Sequence, residues 1–342
     1  MDSRQPPTNA DMSPPTSLSD PGLVLPLLLA NQTGVPSALR LKPSGAVDWA
    51  GAGWLGDLLA AAPCVVFTPD LAPAPEAAAQ LQTLGVKVLG PEALLDNPNT
   101  MPDPKPGTPP WMTGHWYLHI PPKPHAAQAA SRQRAMALMQ LVAQDAETHE
   151  LEEVLRQDAG LAYQLLRLVN SPAIGVRREV TSFSQALLML GRQQLKRWLN
   201  LLLFAAREDD PRSAMLMAHV VLRARGMELL AQHAGLDKAA QEQAFMAGMF
   251  SMLGVLLGQP LPDILRPIRI TDELRDALLE QKGPIGQLLR HWTAIESGDD
   301  ALVRQTLHAL GLTPATATPL LAEAAAWMFK LIRGSDGHGH AG

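Results

Sequence analysis

Two different hydrophobic periods divide this chain. In the first third, short apolar runs alternate with turn residues and short helical stretches. Leu23–Leu29, Ala38–Leu41, Cys64–Thr68 and Val86–Leu89 read as strands. Trp54–Ala62 and Pro75–Leu84 read as helices, the second ending at Gly85, a residue suited to a left-handed helix terminus. Strands separated by helices of roughly ten residues predict βαβ units and a mainly parallel sheet. His115–Ile120 is a last strand candidate. At that spacing in a strand, His115 and His119 would lie about 13 Å apart.

From Ala129 onward the period becomes helical. Helices are expected over Ala129–Ala143, Leu151–Gln157, Leu161–Asn170, Phe183–Leu190, Gln193–Ala206, Ser213–Ala234 and Ala239–Leu257. Four more are expected over Asp272–Gln281, Ile285–Ser297, Asp300–Leu310 and Pro314–Ile332. Leu161, Leu165, Leu168 and Val169 fall on one helix face. Pro172 disfavours helical geometry at Ser171, so the helix stops at Asn170-Ser171. Asn170 is placed to satisfy the last free backbone groups there. The expected fold is therefore α+β: a small N-terminal α/β lobe with a partial sheet, then an all-helical domain.

Composition refines the boundaries. Residues 1–21 are rich in Pro, Ser, Asp and Thr and read as a disordered tail. The lobe covers 22–121, with six prolines between Asp96 and Gly114. The run Pro121-Pro122-Lys123-Pro124 opens a linker at 122–128. The helical domain covers 129–333, and 334–342 reads as a flexible tail. No transmembrane helix or signal peptide is legible, which implies a cytoplasmic protein.

Charge and chemistry narrow the function. The net charge of −5 is spread over both regions, so neither is a basic body that would hold nucleic acid by charge. The single cysteine, Cys64, lies in an apolar run and reads as a buried structural thiol. His338 and His340 sit in a glycine-rich tail without a framework to fix a metal.

One ordered stretch is more specific. It runs from Leu151 to Asp158, continues as Leu161-Ala162-Tyr163-Gln164-Leu165-Leu166-Arg167-Leu168-Val169-Asn170-Ser171, and resumes as Val180-Thr181-Ser182-Phe183-Ser184-Gln185-Ala186 before Leu188-Met189-Leu190-Gly191. This resembles the HDOD family, the HD-related output domains of bacterial signalling proteins, over roughly residues 129–330. Catalytic relatives with the HD signature hold metal with a His, a distant His-Asp pair and a later Asp. The resemblance places His219 near the first ligand position, as a vestige, and puts Ser251 and Met252 in the His-Asp slots. A hydroxyl and a thioether do not replace imidazole and carboxylate toward a hard cation. His219 is then expected to be a partly buried helix histidine with a backbone or water partner.

The order of lobe, Gly114-His115-Trp116-Tyr117-Leu118-His119-Ile120-Pro121 and helical domain resembles the EAL–HDOD signalling proteins. There a cyclic-di-GMP phosphodiesterase barrel, often degenerate, comes first. The lobe has about half that length. Glu92-Ala93-Leu94 spells the family name by coincidence and reads as a helix start after Gly90-Pro91.

The resemblance implies a signalling protein that is not an enzyme, has no cofactor, and acts by binding protein partners, with a homodimer as one form. Arg177, Arg178, Arg192, Lys196 and Arg197 are the expected contact residues, on an exposed loop and helix start. Residual cyclic-dinucleotide binding or HD-type phosphohydrolysis is the alternative, and DNA binding through Arg192, Lys196 and Arg197 the third reading.

Overall fold

The computed structural model describes residues 22–119 apart from 72–74, 99, 102–104 and 106. It describes 137–202 in part, and 211–334 apart from 267 and 269. The tail at 1–21, the linker at 122–128, most of the helices expected at Ala129 and at Leu161, and the tail beyond Gly334 lie outside the described residues.

The lobe is a six-stranded mixed sheet. Its strands are β1 (Leu23–Ala30), β2 (Pro36–Ser44), β3 (Cys64–Phe67), β4 (Lys87–Leu89), β5 (Leu94–Leu95) and β6 (Trp111–Met112), in the order β4-β3-β2-β1-β6-β5. β1 runs antiparallel to both β2 and β6, while β2, β3 and β4 are mutually parallel and β5 is parallel to β6. One strand thus opposes five, and the last strand in sequence lies beside the first. Helices α1 (Trp54–Ala61) and α2 (Ala77–Thr83) make the crossovers.

Alternation along β3 assigns the two faces of the sheet. Val65 and Phe67 join Leu29 and Ala38 in one small buried cluster, topped by Leu89, Ala93, Leu94 and Trp111. Cys64 and Val66 face the main core. Burial on both sides explains why β1 reads as an unbroken apolar run rather than an alternating one.

The expected strand at His115–Ile120 is absent. Trp116–Leu118 is instead a turn of 3-10 helix, and the last strand is Trp111–Met112. A strand would point Trp116 and Tyr117 to opposite faces, whereas the turn brings their rings together edge to face at 5.6 Å and buries both. Gly114 starts the turn at φ 107°, where a Cβ would meet Asn97 at 2.5 Å, so only glycine fits.

The helices are α3 (Thr148–Arg156), α4 (Phe183–Leu202), α5 (Pro211–His233), α6 (Lys238–Phe250), α7 (Leu253–Leu257), α8 (Leu261–Leu265), α9 (Asp272–Glu280), α10 (Gly283–Ser297), α11 (Asp300–Ala309) and α12 (Pro314–Gly334). The two helices expected over 183–206 are separated as anticipated, within α4, at Gly191, whose φ of 74° and ψ of 163° are not helical; the second is described to Leu202. The single helix expected over Ala239–Leu257 divides at Ser251-Met252. The Ser251 hydroxyl donates to the Gly248 carbonyl, and the Met252 amide turns back to Met249. The five-residue α8 was not anticipated: Pro260 and Pro262 suggest a break, yet prolines are tolerated in a first helical turn.

Glycines set the distances between the central helices. A Cβ on Gly248 of α6 would lie 2.6 Å from the Ala224 Cα of α5. A Cβ on Gly226 of α5 would lie 1.9 Å from the Trp292 ring of α10. These two contacts bring α5, α6 and α10 together. The lobe and the helices then share one continuous apolar core, in which α12 lies against β1 and α1. The Val24 amide donates to Thr318 Oγ1, Arg304 to the Ser44 carbonyl, and Arg333 to the Ala61 carbonyl.

Gly226→Ala is predicted to lower stability by about 1–2 kcal/mol, because overpacking against Trp292 exceeds the gain in helix propensity. Gly56→Ala on α1, where a Cβ meets open space, should instead stabilise by about 0.5–1 kcal/mol. Chemical denaturation of both variants checks the contrast.

Candidate functional site

The central feature is a buried polar cluster at the meeting of α5, α6, α10 and the 115–119 turn. His219 and Arg223 are four residues apart on α5 and so share a face. The Arg223 guanidinium clamps the Glu296 carboxylate of α10 with two hydrogen bonds, Nε to Oε1 at 2.9 Å and NH2 to Oε2 at 2.5 Å. Its remaining nitrogen donates to Ser251 Oγ at 2.6 Å. The side chains of Arg223 and Glu296 are 6% and 16% exposed.

His219 joins the lobe to this pair. Its Nε2 is 3.0 Å from Glu296 Oε1, and its Nδ1 is 2.8 Å from the Tyr117 hydroxyl. The arrangement that satisfies both contacts has Nε2–H donating to the carboxylate and Tyr117 donating to Nδ1. His115 of the same turn sets its ring against the backbone of Glu296. His219 is therefore a fully buried residue with side-chain partners, rather than a partly buried one held by backbone or water.

Electrostatics in the cluster follow from burial and from Arg223. Burial alone would push the Glu296 carboxyl up. Arg223 and His219, by charge and by hydrogen bonds, outweigh it and hold the group at about 2. Burial pushes the Tyr117 phenol well above its ordinary range, and Glu296 adds to the effect. Burial lowers His115, with His219 contributing.

A divalent ion of the kind implied by the HD resemblance does not fit these residues. The imidazole and the carboxylate that would be its donors already face a guanidinium at 2.5–3.2 Å. A metal there would meet a fixed positive charge. Met252 is buried, and its thioether would be a poor ligand for a hard cation.

Sequence reasoning did not identify Arg223, Glu296, Tyr117 and His115 as members of the site. Two signals were available. Arg223 follows His219 at helical spacing within an otherwise apolar segment. Glu296 is an acid in the last turn of a helix, where the backbone dipole disfavours it, so it needs a compensating cation.

A second buried network corrects an expectation. Arg197, expected on an exposed basic face, is 7% exposed. It pairs with both oxygens of Glu228 at 2.7 and 2.6 Å, and its guanidinium lies 3.4 Å from the Phe245 ring centroid. Bidentate pairing with an acid on α5 makes the inward position tolerable. Arg225 also binds Glu228, at 2.6 Å, and reaches Glu323 of α12. Trp198 stacks on Trp327 at 5.8 Å, beside Arg225. Arg177 and Arg178 lie outside the described residues, as do the side chains of Arg192 and Lys196.

The motif asparagine does more than end a helix. Asn170 Nδ2 donates to the Val180 carbonyl at 2.8 Å, and Asn170 Oδ1 accepts from the Val180 amide at 2.7 Å. The side chain thereby staples the two ends of the 170–180 loop. Elsewhere, Cys64 is buried and its thiol is pushed up to about 12. His291, 1% exposed, is pushed down to about 4 by burial alone.

A family model described as HDOD domain matches residues 130–273, and that stretch is an HDOD domain. A Vibrio cholerae protein named cyclic di-GMP phosphodiesterase CdgJ is 32% identical over 200 residues, 58% of this chain and 46% of that protein. An uncharacterized Bacillus subtilis protein, YuxH, is 29% identical over 149 residues, 43% of this chain and 36% of that protein. The matches thus span less than half the length of these curated relatives. A Shewanella amazonensis structure provisionally described as a phosphohydrolase aligns over 64% of this chain and 99% of its own, with 17% identity and a TM-score of 0.43. The expectation that the chain is not an enzyme is overturned by the name of the Vibrio relative. Among the described residues, no helix is long and apolar enough to cross a membrane.

Asn170→Ala is expected to cost roughly 2 kcal/mol, about 1 for each lost hydrogen bond, measured by denaturant melts. Acid should weaken the fold in two windows. His291 has a lowered folded pKa, so the unfolded chain binds protons first and stability falls from about pH 6.5 toward 4. Glu296 also has a lowered folded pKa, and its contribution is lost from about pH 4.5 toward 2. The second loss is on the order of 3 kcal/mol. It should vanish in Glu296→Gln, as read from stability measured against pH.

Proposed function

We propose that this protein is a bacterial signal-transduction component that works by engaging a protein partner through its HDOD domain. The observation that carries the reading is the HDOD match over residues 130–273. The candidate contacts are Arg177, Arg178, Arg192 and Lys196, without Arg197. The buried ion pairs of Arg197 with Glu228 and of Arg223 with Glu296 support a rigid scaffold. Partner recognition then falls to the outer faces and to grooves between helices.

The lobe is proposed to be a shortened relative of a phosphodiesterase barrel. Its strand order supports this: β6 returns beside β1, as the last strand of a barrel returns to the first, and the sheet opens between β4 and β5. Leu29, Ala38, Val65 and Phe67 fill the face that would line the interior. A cyclic-di-GMP pathway is the setting favoured by the name of the Vibrio relative.

The same name supports a second reading, in which this chain itself binds or hydrolyses a cyclic dinucleotide. Two experiments separate them. Affinity capture from the native cell should recover a defined partner, and recovery should fall at least several-fold with Arg192→Ala/Lys196→Ala. Calorimetry with cyclic-di-GMP, together with product analysis in the presence of Mg²⁺ or Mn²⁺, tests the second. Saturable binding or turnover there, with no partner captured, would replace the first reading.

A further inference from the structure

The polar cluster has the donor set of a cation site: an imidazole, a carboxylate and a hydroxyl converging from three helices. A guanidinium occupies the point of convergence. It contacts Glu296 through two bonds, Ser251 through one, and lies 3.2 Å from His219 Nε2. The charge is buried among these partners. Each helix of the junction gives one or two of the groups: α5 His219 and Arg223, α10 Glu296. Ser251 closes the end of α6, and the lobe adds Tyr117 through His219.

We propose that Arg223 is the resident cation of this junction. Its guanidinium takes the place a bound metal ion would otherwise hold, ties α5, α6, α10 and the 115–119 turn together, and excludes metal while it is present. Three physical points support the assignment. Glu296 sits where its own helix dipole disfavours a negative charge, so it requires a permanent positive partner. Arginine supplies one that is not lost at any working pH. The planar fork also satisfies the carboxylate and the serine at once, which a spherical ion does only with further ligands. Truncating Arg223 should then leave a hole lined by Glu296, His219 and Ser251, with nothing to balance the carboxylate. That hole is a site for a small guanidinium or for a divalent ion that accepts nitrogen and oxygen ligands, such as Zn²⁺.

The test is the thermal melt of the full chain with Arg223→Ala, in a background carrying His338→Ala and His340→Ala so that the tail histidines bind nothing. The variant should melt roughly 5–10 °C below its background. Methylguanidinium or Zn²⁺ should restore much of that loss. Neither should raise the melt of the background protein or of Arg223→Ala/Glu296→Ala. A melt equal to the background, a loss that neither cation restores, or Zn²⁺ stabilisation of the background through the cluster would each overturn the proposal. If Arg223→Ala does not yield folded protein, Arg223→Lys and Arg223→Met decide it. The first keeps the charge and should fold with a lowered melt, while the second should fold less well or not at all. Equal losses in the two would show that volume rather than charge is what Arg223 supplies.

Discussion

The ion pair between Arg223 and Glu296 is the constraint around which the helical body is arranged. Two charges removed from water cost several kcal/mol each unless geometry and additional hydrogen bonds repay it. Here repayment requires α5 and α10 to approach closely and α6 to end where Ser251 can reach the guanidinium. The glycines at 226 and 248 permit that approach, since a single methyl group at either place would collide with Trp292 or with the α5 backbone. Small residues and a buried charge pair are therefore two parts of one device. The glycines bring the helices near, and the ion pair fixes their register.

The lobe is coupled to the same device. Tyr117 places its hydroxyl on His219, and the turn that carries it is shaped by Gly114 packed on Asn97. Disturbing the lobe thus disturbs the centre of the helical domain through a single imidazole. A scaffold built this way is stiff where its regions meet. That stiffness accords with the proposed role, in which a fixed face would be presented to a partner.

Much of the helical domain was legible in the sequence because its signals are local. Gly235 and Gly311 end their helices with positive φ, a stop signal that the residue itself carries. The apolar spacing of Leu165 and Val169 marked a face that is indeed buried. The failures share a different cause, which is that the deciding partner is distant in sequence. Arg197 looked like a solvated basic residue because Glu228 lies on another helix. Tyr117 looked like a strand residue because nothing nearby reveals that His219 waits for its hydroxyl. Asn170 looked like a helix terminator, yet the backbone it serves is ten residues on, at Val180. Period and composition report what a residue does to its own segment, and they say little about polar pairing across the fold.

The hydrogen bond from the Val24 amide to Thr318 has a consequence for how the chain acquires its structure. β6 meets β1 only at Ala30, so along most of its length β1 has a free side, and α12 serves part of it. Strand β1 is thus completed by a helix whose contact residue lies 294 positions later in the chain. The sheet cannot close its core until that helix has been made. Contacts of that separation slow folding, and the nascent lobe passes through an interval with an apolar strand edge uncovered, the period in which it would depend most on chaperones.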